Sequence, residues 1–154
     1  MREKEYYFRE MKIEDISEVA SIERKLFSRP WSQKAFLEAL EQDTLFVVVL
    51  DRNTIVGYCG MYCSFSEGEI TNVAVEPSRQ NQGIGHKMLK YLLEQAFVKG
   101  IGRVILEVRV SNANAIYLYE SMGFQNCGIR RGLYEMPRED GMIMALELQE
   151  EILQ

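Results

Sequence analysis

Cysteine, histidine and long apolar runs are what this chain has least of. Its 154 residues include three cysteines, Cys59, Cys63 and Cys127, an odd number with no C-x-x-C pair. That argues against a disulfide framework or a zinc site. The three read as core thiols, because free cysteine is often buried. The one histidine, His86, stands far in sequence from any second ligand, so no metal is implied. No stretch approaches the roughly 18 apolar residues of a membrane-spanning helix, and the start, MREKEYYFREM, is charged and aromatic where a signal peptide is apolar. A soluble, cytoplasmic protein without a membrane partner is expected. Basic charge is not in surplus either. With 18 Lys and Arg against 23 Asp and Glu the net charge is −5, which argues against nucleic acid as the main partner and suits a basic peptide better. Repeats and low-complexity tracts are also missing, and 47% hydrophobic residues are enough for a core, so residues 1–154 read as one domain.

The most informative stretch is TNVAVEPSRQNQGIGHKMLKYLLEQAF, residues 71–97. Val73 and Val75 alternate as in a strand, and Glu76-Pro77-Ser78 stops it, because Pro77 has no amide hydrogen to give. From Gly83 onward Met88, Leu92 and Ala96 recur at i+4, as do Leu89, Leu93 and Phe97, which predicts a helix with one buried face. Between strand and helix lies Gln80-Asn81-Gln82-Gly83-Ile84-Gly85. Its glycines let the backbone approach a ligand, and the first helical amides have no intrahelical acceptor, so the loop can offer N–H donors to a pyrophosphate. Met88 stands where G-x-G-x-x-G needs its third glycine, and His86-Lys87 replaces the G-K-[ST] ending of a P-loop. The alternative is a tight turn that needs glycine for shape alone. Arg79, His86, Lys87 and Lys90 cluster here and can meet phosphates, although Lys90 suits a solvated helix face better.

The remaining elements follow in order. Residues 5–11 read as a strand from their aromatic content. Asp15 and Glu18 form a D-x-x-E capping signature ahead of Ile16, Val19, Ile22, Leu26 and Phe27 at helical spacing. Residues 28–32, SRPWS, interrupt that helix, and Ser32 can cap a second one carrying Phe36, Leu37 and Leu40. Residues 45–50, 54–64 and 69–75 read as three consecutive antiparallel strands, with turns at 51–53 and 66–68. Gly100 ends the long helix. Residues 103–110 alternate, with Ile105, Glu107 and Arg109 sharing one face. A strand–helix–strand crossover favours parallel pairing, which puts the ends of the strands finishing at Val75 and Val110 side by side. Ser111 or Asn112 caps a short helix through Met122, residues 124–129 and 142–148 close the sheet, and residues 130–141 read as an irregular loop.

Gln80-x-x-Gly83-x-Gly85 after VAV, followed by LEVRVSNANAIYLYESMGF, resembles the acetyl-CoA site of the GNAT superfamily of N-acetyltransferases. The second segment and Ile129-Arg130-Arg131 are similar to the RimI-type enzymes within it, which acetylate a ribosomal protein on its N-terminal alanine. The likeness covers nearly the whole chain. It implies an α/β (α+β) fold of GNAT type: a mixed, mostly antiparallel sheet whose two central parallel strands splay apart, flanked by helices. It implies acetyl-CoA as cosubstrate and an acyltransferase activity toward the N-terminal amine of a protein, expected to be a small-subunit ribosomal protein. By the same resemblance the backbone of Val73, Ala74 and Val75 pairs with pantetheine, Asn81, Gln82, Gly83, Ile84, Gly85 and His86 receive the pyrophosphate, and the Asn112 amide contacts the cofactor. Val75 is also the expected oxyanion donor.

Acetyl transfer needs an uncharged amine and a proton for the departing thiolate. An α-amino group with a pKa near 8 is about one-tenth free base at pH 7, against about one part in 2,500 for lysine. Glu107, in a strand otherwise rich in Val, Leu and Ile, matches the family's base; its alternative is an ion pair with Arg109. Tyr119 matches the family's acid, and a phenol near pKa 10 can donate to a thiolate whose acid lies near 8.5. Tyr117 is two residues away, about 200° round the helix, so only one ring faces the cofactor. Tyr119 shares the apolar side with Ala115, Ile116 and Met122; a plain core tyrosine is its alternative. By resemblance the FSRPWS segment forms one wall of the acceptor groove, although an aromatic beside a proline in such a connection, as Trp31 is, usually just packs under its loop. The other wall, GLYEMPREDG, departs from the family: it carries Leu133-Tyr134 where two tyrosines are usual, and Glu135, Glu139 and Asp140 are candidates for a positive N-terminus. The departure leaves room for a small-amine acceptor such as a polyamine or aminoglycoside. A CoA-binding regulatory module without turnover is a third reading, which the pairing of Glu107 with Tyr119 disfavours.

Overall fold

The computed structural model describes residues 5–149, so the ends of the expected 1–154 domain lie outside the described residues. The strands are β1 (Tyr7–Glu10), β2 (Thr44–Asp51), β3 (Thr54–Ser64), β4 (Glu67–Val75), β5 (Arg103–Arg109), β6 (Gln125–Glu135) and β7 (Arg138–Glu147). The helices are α1 (Ile16–Leu26), α2 (Gln33–Leu40), α3 (Ile84–Lys99) and α4 (Ala113–Ser121). One seven-stranded sheet runs β1-β2-β3-β4-β5-β7-β6. Only β4 and β5 pair in parallel; every other neighbouring pair is antiparallel.

Helices cover both faces, which is why β2 is apolar and buried from Leu45 to Leu50. Val47 and Val49 join Met88, Leu89, Leu92 and Leu93 of α3 in one core. Phe46, Val48 and Leu50 point the other way, onto Val19 and Ala20 of α1 and Phe36 of α2. Each of these Val, Leu, Met and Phe side chains contributes about 1.5–3 kcal/mol by leaving water. The predicted buried face of α3 holds up to Ala96, while Phe97 is 39% exposed at the last turn. Ser32 caps α2 by accepting from the Ala35 amide at 3.1 Å, and Gly100 ends α3 at φ +102°.

Three expectations are corrected. Residues 130–141 are not an irregular loop: β6 continues to Glu135, β7 begins at Arg138, and only Met136 and Pro137 separate them. The pairing slips between Asn126 and Gly128 and again between Arg130 and Tyr134, with positive φ at Gly128 and Gly132. Those bulges, on a strand exposed from Gln125 to Arg131, erase the alternation by which a strand is recognised. Asp15 does not cap α1. Its carboxylate instead accepts from the Lys12 amide at 2.7 Å and from both terminal nitrogens of Arg9, at 2.7 and 2.9 Å, tying a 3-10 turn to β1. Cys59 and Cys63 are buried, but Cys127 on β6 is exposed and is no core thiol.

Candidate active site

The sheet opens in the middle. The β4–β5 ladder covers Glu67 to Ile70 against Arg103 to Leu106 and stops there. Thr71 forms a bulge against β3, where Met61 faces Ile70 and Gly60 faces Asn72. Beyond it β4 stays with β3 as far as Val75, while Glu107, Val108 and Arg109 stay with β7. Thr71–Val75 and Glu107–Arg109 therefore flank a gap, the splay expected of the two parallel strands. The backbone of Val73, Ala74 and Val75 lies along it without a partner strand on that side. Gln80 Nε2 donates to the Val75 carbonyl at 3.3 Å.

At the end of the gap lies the glycine loop. Asn81 (φ +64°) and Gly83 (φ +80°) both take the left-handed conformation, a turn pattern that gathers backbone amides into an anion-binding concavity. The Lys87 amide closes onto the Gly83 carbonyl at 3.2 Å, so the amides of Ile84, Gly85 and His86 precede the first bonded turn of α3. Asn81, Gln82 and His86 are exposed, whereas the Ile84 side chain is core and has only its backbone to offer. A Cβ on Gly83 would meet nothing within 4 Å, so this glycine serves conformation and leaves open space; a Cβ on Gly85 would approach Leu118 of α4 at 3.3 Å. Of the basic cluster, Arg79 is committed to Asp51, and Lys87 lies 5.9 Å over the Tyr6 ring. Gap, amides and open cradle together fit an elongated ligand with a diphosphate.

Glu107 and Tyr119 stand on opposite faces of the sheet beside this gap. Leu106 and Val108 share the α3 core with Tyr119, so Glu107, alternating with them, points to the α1 side. Its partner is Arg130 Nη1 on β6, at 2.8 Å, and not Arg109. Tyr119 is 7% exposed, with its ring 5.8 Å edge-on from Phe124. Burial pushes its phenol above the ordinary tyrosine range, with smaller contributions from Cys59 and Tyr134. Tyr117 is 77% exposed. Asn112 caps α4, its Oδ1 accepting from the Ala115 amide at 3.2 Å, which leaves its amide nitrogen available.

On the Glu107 side a groove of about 520 Å³ runs between the loop from Phe27 to Trp31 and the β6–β7 hairpin at Leu133–Met136. The two walls meet: Ser28 Oγ donates to the Met136 carbonyl at 3.0 Å, and Arg29 pairs with Glu135 at 3.3 Å. Arg109 donates to the Pro137 and Met136 carbonyls and lies 4.4 Å over the Tyr134 ring. Burial raises the Tyr134 phenol, helped by Glu107 and opposed by Arg109. Of the three hairpin acids, Glu139 is taken by the Ser111 amide and Arg109, and Asp140 by the Gly132 amide. The Ser111 bonds, joined by Arg109, outweigh desolvation and hold Glu139 below the usual carboxylate range. Glu135 alone of the three faces the groove.

Sequence reasoning missed the groove's floor. Glu23, 2% exposed, accepts from the Tyr58 hydroxyl at 2.6 Å, the Asn72 amide at 3.4 Å and the Trp31 backbone N–H at 2.8 Å. Burial, then Glu23, pushes the Tyr58 phenol far above its ordinary value, so it remains a donor. The available signal was position: Glu23 follows Val19 at i+4, in the buried row of α1.

This fold and site define an acetyltransferase, and the chain belongs to the Acetyltransferase (GNAT) family, which residues 14–124 match. Acetyl-CoA is its acetyl source. Within that family the RimI-type likeness holds over most of the chain. The ribosomal protein bS18-alanine N-acetyltransferase of Escherichia coli is 35% identical over 136 residues, 87% of this chain and 92% of that one. Its counterpart in Haemophilus ducreyi is 34% identical over 138 residues, covering 88% and 95%. The crystal structure of the Escherichia coli ribosomal-protein alanine N-acetyltransferase superposes with a TM-score of 0.88 at 32% identity, covering 94% of this chain and 95% of that one. Among the described residues, no helix is long and apolar enough to cross a membrane.

Proposed function

We propose that this enzyme acetylates the N-terminal α-amino group of a protein, the N-terminal alanine of a small-subunit ribosomal protein, with Glu107 as base and Tyr119 as acid. The observation that carries the reading is the groove on the Glu107 side, walled by both loops and leading to the gap in the sheet. The bS18-alanine activity of the relatives supports the choice of acceptor.

Acetyl-CoA supplies a thioester carbonyl open to attack by an amine. The unpaired edge of Val73, Ala74 and Val75 is suited to the amides of its pantetheine arm, the amides from Asn81 to His86 to its pyrophosphate, and the free Asn112 amide nitrogen to a further polar contact. Glu107 accepts the proton of the incoming ammonium, directly or through a water, while Arg130 holds one of its oxygens. The backbone at Val75 donates to the oxygen that gains charge. Tyr119, beneath the gap and protonated, gives its proton to the leaving sulfur.

The test uses acetyl-CoA and two peptides of one basic sequence, one with a free N-terminal alanine and one N-blocked with an internal lysine; mass spectrometry locates the added acetyl group. Only the first is expected to react, and Glu107→Gln should slow it by about 10²–10⁴-fold. Labelling of lysine alone, or turnover confined to small amines, overturns the proposal.

A further inference from the structure

Glu23 is out of keeping with its surroundings. It sits on the buried face of α1 among Val19, Ala20 and Ile22, and its three partners are all neutral. An apolar side chain would serve the core at less cost, since a buried carboxylate must be compensated by every bond it can make. Those bonds come from three separate elements. Tyr58 belongs to β3, and Asn72 to β4 just past the Thr71 bulge, with Thr71 Oγ1 donating to Asn72 Oδ1 at 2.6 Å and so turning the Asn72 amide toward Glu23. Trp31 belongs to the groove wall between α1 and α2, a segment with no helix or strand of its own. The other side-chain bonds of that wall, from Ser28 and Arg29, run to the opposite hairpin and are exposed. Glu23 is the bond that ties the wall to the strand where the sheet opens.

We propose that Glu23 is a positioning residue for the acceptor: its carboxylate sets the distance between the Trp31 wall and β4, so that the acceptor amine arrives at the gap, and it acts through this geometry without offering its charge to the acceptor. The proposal rests on the reading of the groove as the acceptor's path.

A glutamine distinguishes geometry from charge. Its carbonyl can still accept from the Trp31 amide, while its NH₂ donates to a turned Tyr58 hydroxyl; it gives up only the Asn72 bond, the longest of the three at 3.4 Å. Steady-state kinetics with the free-alanine peptide should give a Glu23→Gln enzyme within about threefold of wild type, whereas Glu23→Ala should raise the acceptor KM about tenfold or more and leave the acetyl-CoA KM within about twofold. Trp31 is the only tryptophan, so its emission reports on the wall directly: it should shift to the red in Glu23→Ala and stay put in Glu23→Gln. Should Glu23→Ala fail to fold, Tyr58→Phe removes one donor and is expected to raise the acceptor KM by a few-fold with the acetyl-CoA KM unmoved. An unchanged acceptor KM in Glu23→Ala, or in Tyr58→Phe if that must stand in, overturns the proposal. So does a Glu23→Gln enzyme as impaired as the alanine variant, which would mean that charge is read. Failure of the terminal-amine reading shows separately, as wild-type protein inactive on this peptide; the same KM comparison then runs on whichever amine it acetylates.

Discussion

Replacing Tyr119 with Phe removes one oxygen and nothing else from a buried ring. Among the described residues the Tyr119 hydroxyl makes no hydrogen bond to the protein, while its ring packs edge-on against Phe124 at 5.8 Å. Loss of an unpaired, largely desolvated hydroxyl leaves that packing intact, so stability should change by less than about 1 kcal/mol and Tm by less than about 4 °C. Catalysis should respond quite differently. Without a proton donor for the thiolate, kcat should fall by about 10²–10⁴-fold, or roughly 3–5 kcal/mol of barrier, with both KM values little altered. Burial raises the phenol's pKa, so the acid form persists through its ordinary pKa of about 10. Wild-type kcat should therefore show no fall on the alkaline side below about pH 10. The assays are steady-state kinetics across pH and thermal unfolding of both proteins. A variant within threefold of wild-type kcat refutes the acid role; a lost kcat accompanied by a Tm loss of more than about 10 °C reassigns Tyr119 to packing.

Gly83→Ala places a side chain at φ +80° with open space around it, so strain alone should cost about 1 kcal/mol; the acetyl-CoA KM should rise severalfold with the acceptor KM unmoved, and an unchanged acetyl-CoA KM would separate the loop from cofactor binding. Asp15 is opposed by burial, but the Arg9 bonds and the Lys12 amide outweigh it and hold its pKa below the usual value. Because the folded pKa is depressed, that stabilisation is complete above the unfolded pKa of about 3.9 and disappears as pH falls through the lower, folded value. Asp15→Asn should lower Tm near neutral pH and make Tm less steep below about pH 4; parallel Tm profiles would contradict this. Iodoacetamide on the folded protein should label Cys127 alone, since burial removes Cys59 and Cys63 from reach and pushes both thiols up, and a second adduct on native protein would contradict the burial.

Much of the fold lay in local patterns that burial enforces. The i+4 rows of α3 and the alternation around Glu107 report one-sided packing, and the structure buries the same residues apart from Phe97. The positive-φ glycine at 100 ended its helix where expected. What was hidden depends on partners distant in sequence. Asp15 looked like a helix cap because a capping carboxylate and one that grips Arg9 are the same residue in the same local string. Glu23 was invisible for a similar reason: its donors are 35, 49 and 8 residues away, and only its place in a buried row betrayed it. The outer half of the β6–β7 hairpin, residues 130–141, read as a loop because Gly132 and Pro137 are loop residues by local rules. For the candidate site, resemblance supplied Glu107 and Tyr119, and the parallel crossover supplied the gap on whose two sides they stand.

The irregularity of β6 also bears on how molecules of this protein behave toward one another. A sheet that ends in a long straight strand presents a row of unsatisfied donors and acceptors, a template on which further chains can stack. Here the terminal strand slips its pairing twice, which twists its outer edge. Growth by strand addition would have to match those bulges. The bulged strand thus guards this edge of the sheet against fibrous self-association.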